Sequence, residues 1–119
     1  MEDFEFEENY RMALIKELTG GNFNDFITNS GTFTFIDFYT QTCNPCKLLE
    51  PIIEELAKEY NGKIKFARLD RANGSHIFNQ YLVMGVPQFI IFSPEGNRIS
   101  QFAGNLSKNQ LKEKIEAVF

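Results

Sequence analysis

One stretch of the chain leaves little choice of architecture. Phe33-Thr34-Phe35-Ile36-Asp37-Phe38-Tyr39 is aromatic and β-branched with almost no polar relief. A strand with one wet face would alternate apolar and polar residues. This run reads instead as a buried central strand, covered on both faces in a largely parallel sheet. Thirteen Phe and no Trp in 119 residues mean that the core is built largely on phenylalanine. That length is a prior for one domain able to bury a real core.

The flanking segments supply the covering elements. Ala13 to Thr19 reads as an edge strand, followed by the break Gly20-Gly21-Asn22, with Asn22 as a helix N-cap candidate. Phe23, Phe26 and Ile27 fall at helical spacing, and Asn29-Ser30-Gly31 ends that turn. After the buried strand, Leu48, Leu49, Ile52, Ile53, Leu56, Ala57 and Tyr60 trace one face of a helix running from about residue 45 to Tyr60. Asn61-Gly62 stops it, and Pro51 inside it predicts a kink, because proline removes a backbone donor. Lys63 to Leu69 reads as a strand and Ser75 to Leu82 as a short helix. Pro87 to Phe92 is an apolar strand closed by turn residues 93–97, with Arg98 to Ala103 as its hairpin partner. Ser107 and Gln110 form a capping-box pattern opening a last helix with Leu111, Ile115 and Val118 on one face. Strands alternating with helices, then a hairpin and a final helix, predict a single α/β sandwich.

Charge narrows the function classes. The net charge of −4 arises in residues 1–12, where Glu2, Asp3, Glu5, Glu7 and Glu8 face only Arg11. Residues 13–119 are balanced, so the expected division is an acidic extension, 1–12, and a neutral domain, 13–119. The extension reads as a solvated leader; as a docking segment it would use Phe4 and Phe6 as anchors. No clustered Lys and Arg answer the phosphates of a nucleic acid. No apolar run is long enough to span a membrane, and the acidic N-terminus is unlike a secretory signal, so a cytoplasmic location is expected.

The two cysteines are the chemical feature. Cys43 and Cys46 enclose too small a loop to stabilise a fold by restricting the unfolded chain. They lie between the buried strand and the long helix, where free N–H groups and a partial positive charge would stabilise a thiolate at Cys43. Pro45 suits the first helical turn, where a missing N–H costs nothing. Cys46 is held close enough to attack a mixed disulfide formed at Cys43, which makes that step intramolecular. The spacing therefore suits two-electron exchange with a disulfide. Zinc needs about four ligands, and no second cysteine pair is present; His76 stands alone. A metal or iron–sulfur cluster shared by two chains, each giving two thiolates, stays open on the residue count.

Ile36-Asp37-Phe38-Tyr39, Cys43-Asn44-Pro45-Cys46-Lys47 and Gly85-Val86-Pro87 together resemble the signature of the thioredoxin family. The likeness spans about residues 13–119, and Gly104-Asn105-Leu106-Ser107-Lys108 resembles the family's approach to its last helix. It implies the thioredoxin fold, a central mixed sheet with helices on both faces. It also implies a protein-disulfide reductase with no bound cofactor, whose redox-active disulfide Cys43–Cys46 takes electrons from NADPH through a thioredoxin reductase. Disulfide-containing proteins are the implied substrates, and a monomer the implied state. By resemblance, Cys43 is the attacking thiol, Cys46 the resolving thiol, and Asp37 a buried carboxylate that accepts a proton from Cys46. Pro87 resembles the cis-proline facing the cysteines; the Val86 backbone would pair with an extended substrate, and Gly104 would leave room in the same groove.

Thr42 stands where the family usually has Trp, Asn44 where it has Gly, and Gln88 where it has Thr. Thr42 and Asn44 would border the bound substrate. Pro45 and Arg68 would support the site, Arg68 in place of a Lys that pairs with the buried acid. Arginine remains charged at working pH, so it offers electrostatic support and no proton relay. Two other readings stay open, the first suggested by Thr42 and Asn44 and the second of a different class. One is a specialised oxidoreductase or isomerase serving a dedicated partner. The other is a binding adapter or a dimeric cluster-binding module of the same fold.

Overall fold

A computed structural model describes residues 14–119, so the acidic extension and Ala13 lie outside the described residues. The buried run forms strand β2 (Phe33–Tyr39), and six of its seven residues are buried. It sits at the centre of a five-stranded sheet of order β1-β3-β2-β4-β5. Here β1 is Ile15–Leu18, β3 Ile64–Asp70, β4 Gln88–Phe92 and β5 Arg98–Ala103. β3 runs parallel to β1 and β2, whereas β4 is antiparallel to β2 and β5. The sheet is therefore mixed, with β1 at an edge as the sequence predicts.

Among the described residues, four helices cover it: α1 (Phe23–Asn29), α2 (Asn44–Glu59), α3 (Ser75–Gln80) and α4 (Lys108–Glu116). Side chains alternate across a strand, so Phe35 and Asp37 share one face of β2 while Ile36 and Phe38 share the other. Phe35 packs in a core with Leu49, Ile53 and Leu56 of α2 and Leu111 and Ile115 of α4. Ile36 and Phe38 join Phe23 and Ile27 of α1 and Ile77 and Phe78 of α3. Phenylalanine contributes to both layers, beside isoleucine and leucine. Phe35 stacks on Phe66 at 4.8 Å, and Phe38 meets Phe78 edge-on at 5.1 Å.

Several boundaries differ from the sequence reading. Asn22 occupies the N-cap position of α1 but makes no side-chain cap bond. Its Oδ1 instead accepts from the Thr19 N–H at 2.8 Å, tying the preceding turn to itself. α3 stops at Gln80 because Leu82 turns into the left-handed region, φ 56°, and Val83 N–H then returns to Phe78 O. A single 3-10 turn, Arg71–Asn73, follows β3; the Asp70 side chain accepts from Ala72 N–H and caps it. Val118 lies beyond α4, although it still packs against the core of that face. α2 is one continuous helix through Pro51, which sits exposed on its outer side.

Candidate active site

The site forms where β2 ends and α2 begins. After Tyr39 the chain turns through Thr40-Gln41-Thr42, and the Cys43 N–H bonds Thr40 O at 3.3 Å. Cys43 is the N-cap of α2, in extended conformation, and its Sγ accepts from the Cys46 N–H at 3.1 Å. Pro45 falls in the first turn, where no intrahelical donor is lost. The two cysteines are joined as a disulfide, with Cα atoms 5.3 Å apart. Cys43 is 9% exposed and Cys46 3%, so the N-cap cysteine is the more accessible residue of the two. Thr42, Asn44 and Pro45 are exposed around it.

Tyr39, Cys43 and Cys46 pack as one small cluster, with Val86 closing against it. The Val86–Pro87 peptide bond, on the approach to β4, is cis. Gly104 N–H donates to Pro87 O at 3.1 Å. Gly104 has φ +109°, a conformation L residues rarely adopt, and nothing lies within 4 Å of where its Cβ would be. Glycine is thus required there by the backbone as well as leaving open space in the groove.

Asp37 is 4% exposed and points to the sheet face covered by α2, the helix that carries both cysteines. Burial raises its pKa from 3.8 to about 7, against the pull of the Arg68 guanidinium; Glu50 and Glu17 push it further up. Arg68 is the register partner of Asp37 in the neighbouring strand. Its guanidinium pairs with Glu50 at 3.3 Å and with Glu17 at 3.6 Å, and lies 3.8 Å over the Tyr39 ring. The ion pairs of Arg68 therefore go to these two glutamates, while its field still reaches Asp37. A carboxyl that titrates near neutrality, on the face covered by the dithiol's helix, is suited to proton exchange with a thiol.

Residues 14–117 match the Thioredoxin family model. A thioredoxin of Buchnera aphidicola (subsp. Acyrthosiphon pisum) is 35% identical over 105 residues, covering 88% of this chain and 96% of that one. The chloroplastic M-type thioredoxin of spinach is 32% identical, over 86% of this chain and 56% of its own length. Among solved structures, a mutant thioredoxin from Halobacterium salinarum superposes with a TM-score of 0.77 at 27% identity, covering 86% of this chain and 88% of that one. The chain belongs to the thioredoxin family. It is a protein-disulfide oxidoreductase with the thioredoxin fold, and the family implies disulfide substrates and a reductase partner. Thioredoxins bind no cofactor. Among the described residues no group of three or more His, Cys, Asp or Glu could hold a metal ion, and no helix is long and apolar enough to cross a membrane.

This thioredoxin-family site also contains residues that spacing did not single out. Gln41, in the loop before Cys43, donates its amide to Asp70 Oδ2 at 2.8 Å and fastens that loop to the end of β3. Tyr39 donates its hydroxyl to Glu17 Oε2 at 2.7 Å. Glu17 and Glu50 lie on different elements, so their convergence on Arg68 follows from strand register and helix packing. Only Asp70 carried a local signal, as an acidic residue two before a turn N–H that it caps.

Proposed function

We propose that Cys43 is the attacking thiolate and Cys46 the resolving thiol of a protein-disulfide reductase. The observation that carries this assignment is the N-cap position of Cys43, the more exposed cysteine, packed with Cys46 against Val86. In the reduced protein, the first-turn amides and helix dipole stabilise a thiolate at Cys43. It attacks one sulfur of the substrate disulfide, forming a mixed disulfide and releasing the other sulfur, which takes a proton. Asp37 then accepts the Cys46 proton, directly or through water, and the Cys46 sulfur attacks Cys43 Sγ. The Cys43–Cys46 disulfide closes and the second substrate thiol leaves. Two electrons, drawn from NADPH through a thioredoxin reductase, reset the pair.

The substrate lies as an extended segment along the Val86 backbone, beside Pro87 and Gly104, with Thr42 and Asn44 at the rim. Pro45 supports the helix start and Arg68 the electrostatics. The domain, residues 13–119, works as a monomer in the cytoplasm, where thiols are kept reduced, and residues 1–12 form an appended acidic leader. In a dithiol-dependent insulin assay, Cys43→Ser is expected to abolish turnover. Cys46→Ser is expected to accumulate a stable mixed disulfide with substrate, detectable by non-reducing electrophoresis. Full activity of Cys43→Ser would sink the mechanism.

A further inference from the structure

In the segment that presents Val86 to the cysteines, Val83 is buried in the core and Tyr81 and Val86 pack against it, but the residues between these anchors are not held by packing. Leu82 and Met84 are 72% and 86% exposed, and Gly85 is exposed with open space around it. Leu82 also holds a left-handed backbone, which costs a non-glycine residue conformational energy. An exposed stretch such as Met84-Gly85, directly before Val86, has few buried contacts of its own to fix its backbone. A backbone edge that must receive an extended partner gains from being held in place beforehand, because ordering it on binding weakens affinity.

Two glutamines from the β4–β5 hairpin supply that hold. Gln88 Nε2 donates to Gly85 O at 2.9 Å, immediately before Val86. Gln88 Oε1 accepts from Gln101 Nε2 at 2.5 Å, and the same Gln101 amide donates to Tyr81 O at 3.1 Å. Arg98 closes the chain by donating to Gln101 Oε1 at 2.8 Å and, more weakly, to Tyr81 O at 3.4 Å. The amide orientations are dictated by chemistry. Arg98 can only donate, and the two carbonyls can only accept, so each glutamine has one consistent orientation. Both hydrogens of the Gln101 amide are used. Gln88 opens β4 and Gln101 lies opposite Ile90 on β5, so the anchors belong to the hairpin's regular ladder. The segment from Tyr81 to Pro87 is thus fastened at Tyr81 O, at Gly85 O and, beyond the cis bond, at Pro87 O by Gly104.

We propose that Gln88 and Gln101 are positioning residues for substrate binding, holding the Gly85–Val86 backbone ready for the extended segment of a disulfide-bearing protein. The proposal rests on the reading of the Val86 edge as the substrate edge. The side-chain hydrogen bonds of the two glutamines go to Gly85, Tyr81, Arg98 and each other and not to Cys43 or Cys46, so the proposal assigns them no part in the reactivity of the dithiol.

The test compares Gln88→Leu and Gln101→Leu with the wild-type protein on two disulfides. One is insulin, which offers a backbone; the other is hydroxyethyl disulfide, which offers none. The expected result is a KM for insulin raised about five- to tenfold, the size of one or two lost hydrogen bonds. The kcat for insulin and the rate with hydroxyethyl disulfide stay at wild-type values. If Gln101→Leu fails to fold by circular dichroism, Gln88→Leu decides alone, since it leaves the bonds of Gln101 and Arg98 to Tyr81 in place. An unchanged insulin KM in folded variants overturns the proposal, as does an equal loss on both disulfides, which would put the effect on the dithiol. A wild-type protein inactive on insulin would instead remove the functional reading, and the proposal with it.

Discussion

Asp37 is the residue whose chemistry depends most on its surroundings. Its pKa of about 7, against 3.8 when solvated, is set first by burial. Between these values the folded protein binds more protons than the unfolded chain, so stability falls as pH rises through that window. The loss is complete above about pH 7 and amounts to on the order of 4 kcal/mol. Asp37→Asn removes the titration. Urea denaturation should find the variant increasingly more stable than the wild type as pH rises from about 4 to 8. Its resolving step should slow by about a hundredfold, as when a general base is lost, and stopped-flow rates should lose their inflection near pH 7. Arg68 opposes the burial effect. Arg68→Met retains apolar bulk and leaves Glu17 and Glu50 without their cation, so the Asp37 inflection should move upward by about one pH unit. A pH profile that stays put would remove Arg68 from the site's electrostatics. The acid was visible in the sequence as a lone charge in an apolar strand. The two glutamates that act on it were not, because residues 17, 37 and 50 meet only through register and packing.

Individual elements were legible in proportion to how local their causes are. The capping box that opens α4 is a four-residue pattern, and both of its bonds are present: Gln110 N–H to Ser107 Oγ at 3.2 Å and Ser107 N–H to Gln110 Oε1 at 2.9 Å. Ser107→Ala should therefore cost about 1 kcal/mol, read as a lower urea midpoint with unchanged slope. Lys108 also reaches Glu55 at 3.0 Å and pairs with Glu59, while Lys112 reaches Glu59 at 3.2 Å. These exposed pairs tie α4 to α2 but are screened by salt, so the cap is the better target. Asn22 marks the limit of such reasoning. Its composition suits an N-cap, yet its side chain satisfies Thr19 N–H instead, because an Asn oxygen serves whichever neighbouring donor the turn presents. Likewise the end of α3 hangs on a left-handed leucine, a residue type that gives no stop signal.

The protein as a whole divides its charge unevenly. Deleting residues 1–12 removes five acids and one base and leaves a neutral domain. The family match begins at residue 14, which supports placing the catalytic unit after the extension. The truncated protein should reduce insulin with unchanged kcat/KM and be less soluble near neutral pH, because net charge keeps proteins apart. A large fall in kcat/KM would give the acidic segment a part in catalysis. The fold itself was legible from the order of elements, since a strand apolar on both faces requires neighbours and two helical layers.

Local chemistry sufficed for the α/β architecture, the dithiol at a helix start and the capped last helix, while the burial of Asp37 was implied by the family resemblance. Each of these depends on residues within a turn or two of one another, where periodicity and caps act directly. The cis bond before Pro87, the pairing of Arg68 with Glu17 and Glu50, the neutral-range titration of Asp37 and the glutamine pair behind Val86 are of another kind. They arise from side chains brought together across strands and layers, where burial and register set the energies, and no spacing along the chain encodes those distances.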